Sequence, residues 1–361
     1  MSVSPIFYAV PAFAGLIALE MALAHRRGLR VYRLQDTLTS LNIGVMSQFV
    51  NTLGGALGLG LYALISACWG VFSWDVTHPL TWLTALLLYD FCYYWLHRLN
   101  HEVNILWAAH VVHHSSEEFN LSTALRQSST GFLSSWMFYT PLALLGIPLK
   151  VFVVVGLIDL VYQFWVHTRL VGRLGWLEGV LVTPSNHRVH HGQNDYCIDR
   201  NYGGLLIVWD RLFGTYADER EQEPPVYGIR KPLHSWSPVW ANLHHYADLF
   251  RQVAQTPGWR GKLQGLLASP GSAGPGGAQA KVFEPSAFER FATPAPLWMA
   301  GLGMAGTLAG SAWLMHFLWF QSSWPQWLRA ADTAAIVLFF LGLGWLWQRP
   351  RVTGSADKAE P

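Results

Sequence analysis

Seven apolar runs divide this chain, and any fold must find a place for all of them: Ile6–Ala24, Leu41–Trp69, Leu80–Leu96, Phe132–Leu145, Val151–Val166, Pro296–Phe320 and Ala331–Trp347. A helix needs about 20 apolar residues to cross a bilayer. Ile6–Ala24 meets that length and runs into the basic stretch His25–Arg30. It lacks a preceding basic region and a small-residue cleavage site, so it reads as a retained transmembrane helix and not a removed signal peptide. Leu41–Trp69 is long for one span, which implies a tilt or a kink near Gly54–Gly55. Gly54 and Gly58 match the small-residue spacing that lets helices approach closely. Leu80–Leu96 forms a third span, with Trp82 near one end and Tyr93, Tyr94 and Trp95 near the other, as an interfacial aromatic belt would place them. Gly146, Ile147 and Pro148 turn the chain between the next two runs. Both are short, so a re-entrant hairpin and two complete crossings remain open.

The expected fold class is an all-α integral membrane protein: a transmembrane helical bundle with a cytoplasmic histidine-rich helical cap. Residues 1–79 form the N-terminal spans, 80–255 the histidine-bearing domain with its membrane hairpin, and 256–294 a flexible linker. Residues 295–348 form a closing hairpin and 349–361 a disordered tail. A soluble chain of 361 residues is excluded by composition, since 52% of residues are hydrophobic, 13% are charged and 19 are tryptophan. The net charge of +2, without a long basic tract, gives no basis for a nucleic-acid partner. Cys68, Cys92 and Cys197 have no CxxC spacing, which argues against a zinc ribbon or a disulfide framework. Four arginines (Arg26, Arg27, Arg30, Arg33) follow the first run and no Lys or Arg separates the second from the third. The positive-inside rule therefore puts 25–40, and with it the later histidines and the tail carrying Arg349 and Arg351, in the cytoplasm.

The chemistry concentrates in His97–Asn120, which holds five histidines, three carboxylates and one arginine. His97 and His101 are spaced i, i+4, and His110, His113 and His114 follow i, i+3, i+4; on helices such residues share a face. His187, His190 and His191 repeat the pattern. Neutral imidazole is the commonest metal ligand, and eight histidines exceed what one ion needs, so a dinuclear site is the natural reading. His167 ends an apolar run, where a polar residue needs a reason, and is a candidate further ligand from the hairpin. Glu102 is open between metal ligand, hydrogen-bond partner of an imidazole and surface charge. Glu117 and Glu118 read as a loop or helix start. Asn120, Ser122, Thr123, Arg126 and Gln127 suggest either a pocket wall or helix capping. His234, His244 and His245 stay unassigned. Zinc hydrolysis usually involves carboxylates, whereas oxygen-dependent attack on unactivated C–H bonds suits a histidine-rich site beside a membrane. A metal transporter, the competing class, would carry histidines in mid-span; here nearly all follow the spans. Spacing alone does not identify the metal.

The stretches HRLNHE, HVVHHSSEEFN and NHRVHH resemble the three histidine boxes of the fatty acid hydroxylase/sterol desaturase superfamily of membrane diiron-type oxygenases. HHSSEEFNLSTALRQS and the segment around NHRVHH are most similar to its ether-lipid-cleaving branch. The resemblance implies that His97, His101, His110, His113, His114, His187, His190 and His191 hold two metal ions, iron by resemblance, with Glu102 essential beside them. It also implies a lipid substrate, dioxygen, and an electron donor that is either reduced tetrahydrobiopterin or a redox protein. Hydroxylation next to the ether oxygen would release a fatty aldehyde. Sterol, carotenoid or fatty-acyl hydroxylation or desaturation is the alternative within the superfamily. Asn186 departs from the branch, which often has a histidine there. The implied location is a bacterial inner membrane or the endoplasmic reticulum, with the site on the cytoplasmic side.

Overall fold

The structure, a computed structural model, describes residues 4–272 and 282–348. The expected disordered tail, with Arg349 and Arg351, and the glycine-rich centre of the expected linker at 273–281 lie outside the described residues. The described chain is helical throughout, with two isolated bridges (Leu181 with Leu206, Gly192 with Tyr227) and no strand. Its helices are α1 (Pro5–Arg26), α2 (Leu34–Trp69), α3 (Pro79–Glu102), α4 (Asn104–His114), α5 (Leu121–Ala124), α6 (Phe132–Leu144), α7 (Leu149–Trp165), α8 (Pro184–His190), α9 (Val208–Phe213), α10 (Pro238–Gln255), α11 (Trp259–Leu267), α12 (Leu297–Phe320) and α13 (Gln326–Gln348).

Three helices, α1, α2 and α13, are long and apolar enough to cross a membrane. The 36 residues of α2 make a rod of about 54 Å at 1.5 Å per residue. That exceeds the roughly 30 Å of a hydrocarbon layer, and the sequence accounts for the excess. The first turns carry Asp36, Thr37, Thr39, Ser40 and Asn42, all buried, and belong to the cap; only the later turns are apolar. The helix therefore begins seven residues before the apolar run and continues through Gly54–Gly55. Gly54 lets α6 lie against α2, because a Cβ there would run into the Phe132 ring. At 13 and 17 residues, α6 and α7 are shorter than a full crossing takes. Their turn depends on Gly146, whose φ of +79° and close approach to the Phe72 carbonyl admit no side chain.

Two apolar clusters hold the bundle together. One joins α2, α12 and α13 through Phe49, Phe317, Ile336 and Phe340; the other joins α2, α3, α6 and α7 through Tyr62, Ala85, Leu142, Ile147 and Val151. Between them, the end of α3, the short helices α4 and α8 and the turn after α7 carry the histidines. Part of the expected flexible linker is ordered. Residues 259–267 form α11, whose end docks on the start of α4: the Asn104 amide donates to the Ala268 carbonyl at 2.9 Å. Further along, the Phe291 amide donates to Glu117 Oε2 at 2.7 Å and the Trp236 indole to Thr293 at 2.7 Å. This strap ties the α12–α13 hairpin to the cap.

Candidate metal centre

Nine histidines converge into two adjoining groups. His97, His101, His110, His114 and His190 form one; His113, His167, His187 and His191 form the other, and within each group the ligand-capable atoms all lie within 4.8 Å of one another. These are the eight histidines of the three boxes plus His167. Helix periodicity explains the partition. At 100° per residue, His110 and His114 are 40° apart, while His113 is turned 60° to 100° away from them. Thus α4 gives its i, i+4 pair to the first group and His113 to the second. The mirror assignment holds at α8, whose His187 and His191 enter the second group while His190 enters the first. A box that reads as one helix face borders two centres. The groups share a wall, where the His114 and His191 rings stack at 4.3 Å.

Backbone carbonyls fix four of the rings. A carbonyl can only accept, so Nδ1 must be the donor in each case: His97 to Tyr202 at 2.7 Å, His190 to Arg200 at 2.9 Å, His113 to Arg126 at 3.1 Å and His167 to Gln163 at 2.8 Å. Burial pushes all nine pKa values below the ordinary 6.5, His113 to about 4. With the single proton of a neutral imidazole on Nδ1, Nε2 presents a bare lone pair. His113 and His167 therefore aim two lone pairs at each other across 3.3 Å with no proton between them. The Nε2 atoms of His101 and His190 and Nδ1 of His187 are buried without any partner. Converging, unprotonated and unpartnered nitrogens are what a bound cation requires.

The supporting residues are specific to each group. Asp199 and Asn201 both adopt φ of +56°, a conformation that Asp and Asn tolerate better than most side chains, and this curls loop 199–202 so that two of its carbonyls face the first group. Buried Asp210 holds the loop, accepting from the Tyr202 and Gly203 amides at 2.8 Å each and from the Thr215 hydroxyl at 2.6 Å. Behind the second group, Arg188 grips Glu219 with two 2.7 Å bonds and donates to the Thr168 and Val171 carbonyls, which joins α8 to the segment that follows His167. Phe119 covers this group, its ring 5.5 Å from that of His167.

Other expected residues fall outside the groups. Glu102 points away, pairing with Arg98 at 2.9 Å and accepting from the Tyr202 hydroxyl at 3.4 Å, so it reaches the histidines only through the residue that anchors His97. Asn186 forms a reciprocal cap with Thr183 at the start of α8. Asn120 and Thr123 likewise cap α5, while Gln127 donates to the Ala124 carbonyl. Glu117 and Glu118 pair with Arg33, and fully buried Arg126 lies 3.5 Å from Asp36. A cavity of about 370 Å³ opens mainly onto the first group, lined by Trp107, Cys197, Ile198, His244 and His245 beside His101, His114 and His190, with His191 of the second group at its edge. Trp107 lies three and seven residues before His110 and His114, on their face of α4, but nothing in the sequence ties α10 to the site. Only the fold brings it there.

A family model described as fatty acid hydroxylase matches residues 82–215, which contain all nine histidines. Alkylglycerol monooxygenase of Homo sapiens is 45% identical over 269 residues, 74% of this chain and 60% of that protein. The Danio rerio protein of the same name is 45% identical over 274 residues, 73% of this chain and 58% of that one. An ornithine lipid hydroxylase of Rhizobium tropici is 31% identical over 153 residues, 40% of this chain and 44% of that protein. The chain thus spans about 60% of the length of the alkylglycerol monooxygenases it matches. No solved structure matches it.

Proposed function

Because the chain belongs to the fatty acid hydroxylase family, we propose that it is a membrane-bound lipid monooxygenase whose nine histidines hold two metal ions. Ether lipid is the substrate class, in keeping with the alkylglycerol monooxygenases it is similar to. The observation that carries this reading is the facing pair of unprotonated Nε2 atoms on His113 and His167, 3.3 Å apart. The donor set is nitrogen only, which suits iron, copper or zinc; iron is the reading that the family favours. Bound there, the ions would supply the activation of dioxygen.

In balance, R–CH2–O–R′, dioxygen, two electrons and two protons give R–CH(OH)–O–R′ and water. The hemiacetal then breaks its C–O bond, passes the hydroxyl proton to the leaving oxygen and yields a fatty aldehyde and a glycerol derivative. The electrons come from a reduced pterin, such as tetrahydrobiopterin, or from a redox protein. The chain's own contribution is positional. Loop 199–202 and the carbonyls of Arg126 and Gln163 keep the anchored rings in one tautomer. Phe119 and the surrounding helices keep water from the second group. The cavity leaves the first group reachable, and Glu102 steadies Tyr202 and through it His97. The arginines that follow the first apolar run support a cytoplasmic site, under the positive-inside rule.

The test is direct. Purified full-length chain in lipid, loaded with iron and supplied with an alkylglycerol and dioxygen, should release fatty aldehyde when reduced tetrahydrobiopterin is added, with about two ions per chain, the number a dinuclear centre needs. Turnover with a ferredoxin-type donor but not with pterin would keep the oxygenase reading and replace the donor. Absence of aldehyde from the two-ion protein with either donor would reject ether lipid as the substrate.

A further inference from the structure

The helical hairpin that frames the cavity has an outer surface that the rest of the fold leaves uncovered. In α11, Trp259, Leu263 and Leu267 recur at i, i+4 and i+8 and are 69%, 46% and 55% exposed. The opposite face carries Gly261 and Gly265, whose Cβ positions would touch Thr256 and Val253 at the end of α10. The apolar stripe thus points away from the protein. Arg260 and Lys262 flank it on either side, and α11 contains no acid. The adjacent α10 repeats the pattern with exposed Trp240, Leu243 and Phe250. A tryptophan-bearing apolar face edged by basic side chains is the composition of a helix lying in a membrane interface.

Position supports the same partner. α10 starts where the candidate span α13 ends, since Ser237 abuts Gly344, and beside the cap end of α2, where Thr39 donates to the Trp236 carbonyl at 3.3 Å. From that level α10 and α11 extend beside the cap, and the cavity mouth is made by His244, His245 and Asp248 of α10 and by Pro270, just after α11. His245 donates from Nε2 to Asn104 Oδ1 at 2.7 Å, which locks the hairpin to the helix that carries His110, His113 and His114.

We propose that α10 and α11 lie in the headgroup layer of the membrane the bundle spans, with their apolar stripes against the acyl chains and Arg260 and Lys262 at the lipid phosphates. The mouth they frame then takes lipid directly from that leaflet. The first statement is independent of substrate; the second rests on the lipid-oxygenase reading above.

Spin labelling of the full chain in phosphatidylcholine vesicles containing phosphatidylglycerol tests the first statement. In a Cys68→Ala background, since Cys92 and Cys197 are buried, a label on Leu263→Cys should collide with dioxygen several-fold more than with a water-soluble nickel chelate. A label on Glu221→Cys, in an exposed acidic loop, should show the reverse. Nickel access at 263 would overturn the proposal. So would shielding from both reagents, which would mean that a second copy or another protein covers the stripe. For the second statement, the combined Trp259→Ser, Leu263→Ser, Leu267→Ser variant should keep its metal. Its KM for vesicle-borne alkylglycerol should rise roughly tenfold, while kcat and the turnover of a short-chain substrate dispersed in detergent stay unchanged. An unchanged KM would overturn the portal. If no variant or parent turns over alkylglycerol, ether lipid fails as the substrate while the label result still stands.

Discussion

The two histidine groups share α4 and α8 but are supported in opposite ways. The first takes both of its carbonyl anchors from one loop, 199–202, and that loop is held by one buried carboxylate, Asp210. The second takes its anchors from two unrelated places, the last turn of α7 and the residues after α5, and is tied together from outside by Arg188. The first lines a cavity with His101, His114 and His190; the second is buried at all four residues and borders that cavity through His191 alone. A site that must admit a substrate cannot be enclosed by side chains, so its rigidity comes from a loop beneath it. A closed site draws rigidity from everything that covers it. The comparison therefore predicts that damage to either support stays local to its own group.

The largest expected effect comes from removing ligands. His101→Ala and His113→Ala should each lower metal content from about two ions towards one and reduce turnover more than 100-fold, measured by elemental analysis and aldehyde release on the same sample. The retained ion should differ between the two variants, which a spectroscopic comparison of the singly loaded proteins would show. Identical spectra would mean that the groups are one site and would end the comparison. Complete metal removal should expose a second property. Folding holds all nine imidazoles below their ordinary pKa of 6.5, so the unfolded chain binds more protons once the pH drops below that value. Metal-free protein should be most stable above pH 6.5 and should lose stability progressively from there towards about 4, the value to which His113 is pushed. A thermal midpoint that is flat across this interval would contradict the burial on which the site is argued.

Next in size are the two supports. Asp210→Ala leaves two loop amides unpaired and should cost about 1.5–3 kcal/mol of stability and roughly 10–100-fold in metal affinity, confined to the first group. Arg188→Lys keeps the charge but loses the two-pronged grip on Glu219, and should produce a smaller loss of affinity confined to the second. Metal titration of both variants decides the matter. Equal losses at both groups in either variant would show that the supports are shared.

How much of this could be read from the chain follows from the same contrast. The i, i+4 pairs His97/His101, His110/His114 and His187/His191 are legible because helical periodicity puts each pair on one face, and each does lie within one group. The crossing of His113 and His190 into opposite groups was hidden, because a box looks like one face until a second helix is set across it. His167 was half legible, as a polar residue at the end of an apolar run with nothing in the sequence to pair it with His113. The anchors for four rings are backbone carbonyls, which no side-chain pattern announces. Seven apolar runs gave the helical bundle, yet the polar start of α2, buried in the cap, and the ordered α11 within an expected linker depend on tertiary contacts.

The smallest expected effect separates the cavity from the metals. Trp107 packs its ring 5.0 Å from His101 and 5.5 Å from His114 and lines the cavity, yet it donates no ligand atom. If the open side of the first group serves the substrate, Trp107→Ala should leave both ions in place and enlarge the space next to them. It should shift KM for long-chain alkylglycerol by less than about tenfold, the scale of changing apolar contacts in a binding pocket, with kcat altered less than KM. Trp107→Phe should recover most of the parent KM, because a smaller ring still fills much of the wall. Loss of an ion in Trp107→Ala would show instead that the tryptophan holds the imidazoles in position, and the first group would then be supported by its covering side chains just as the second is.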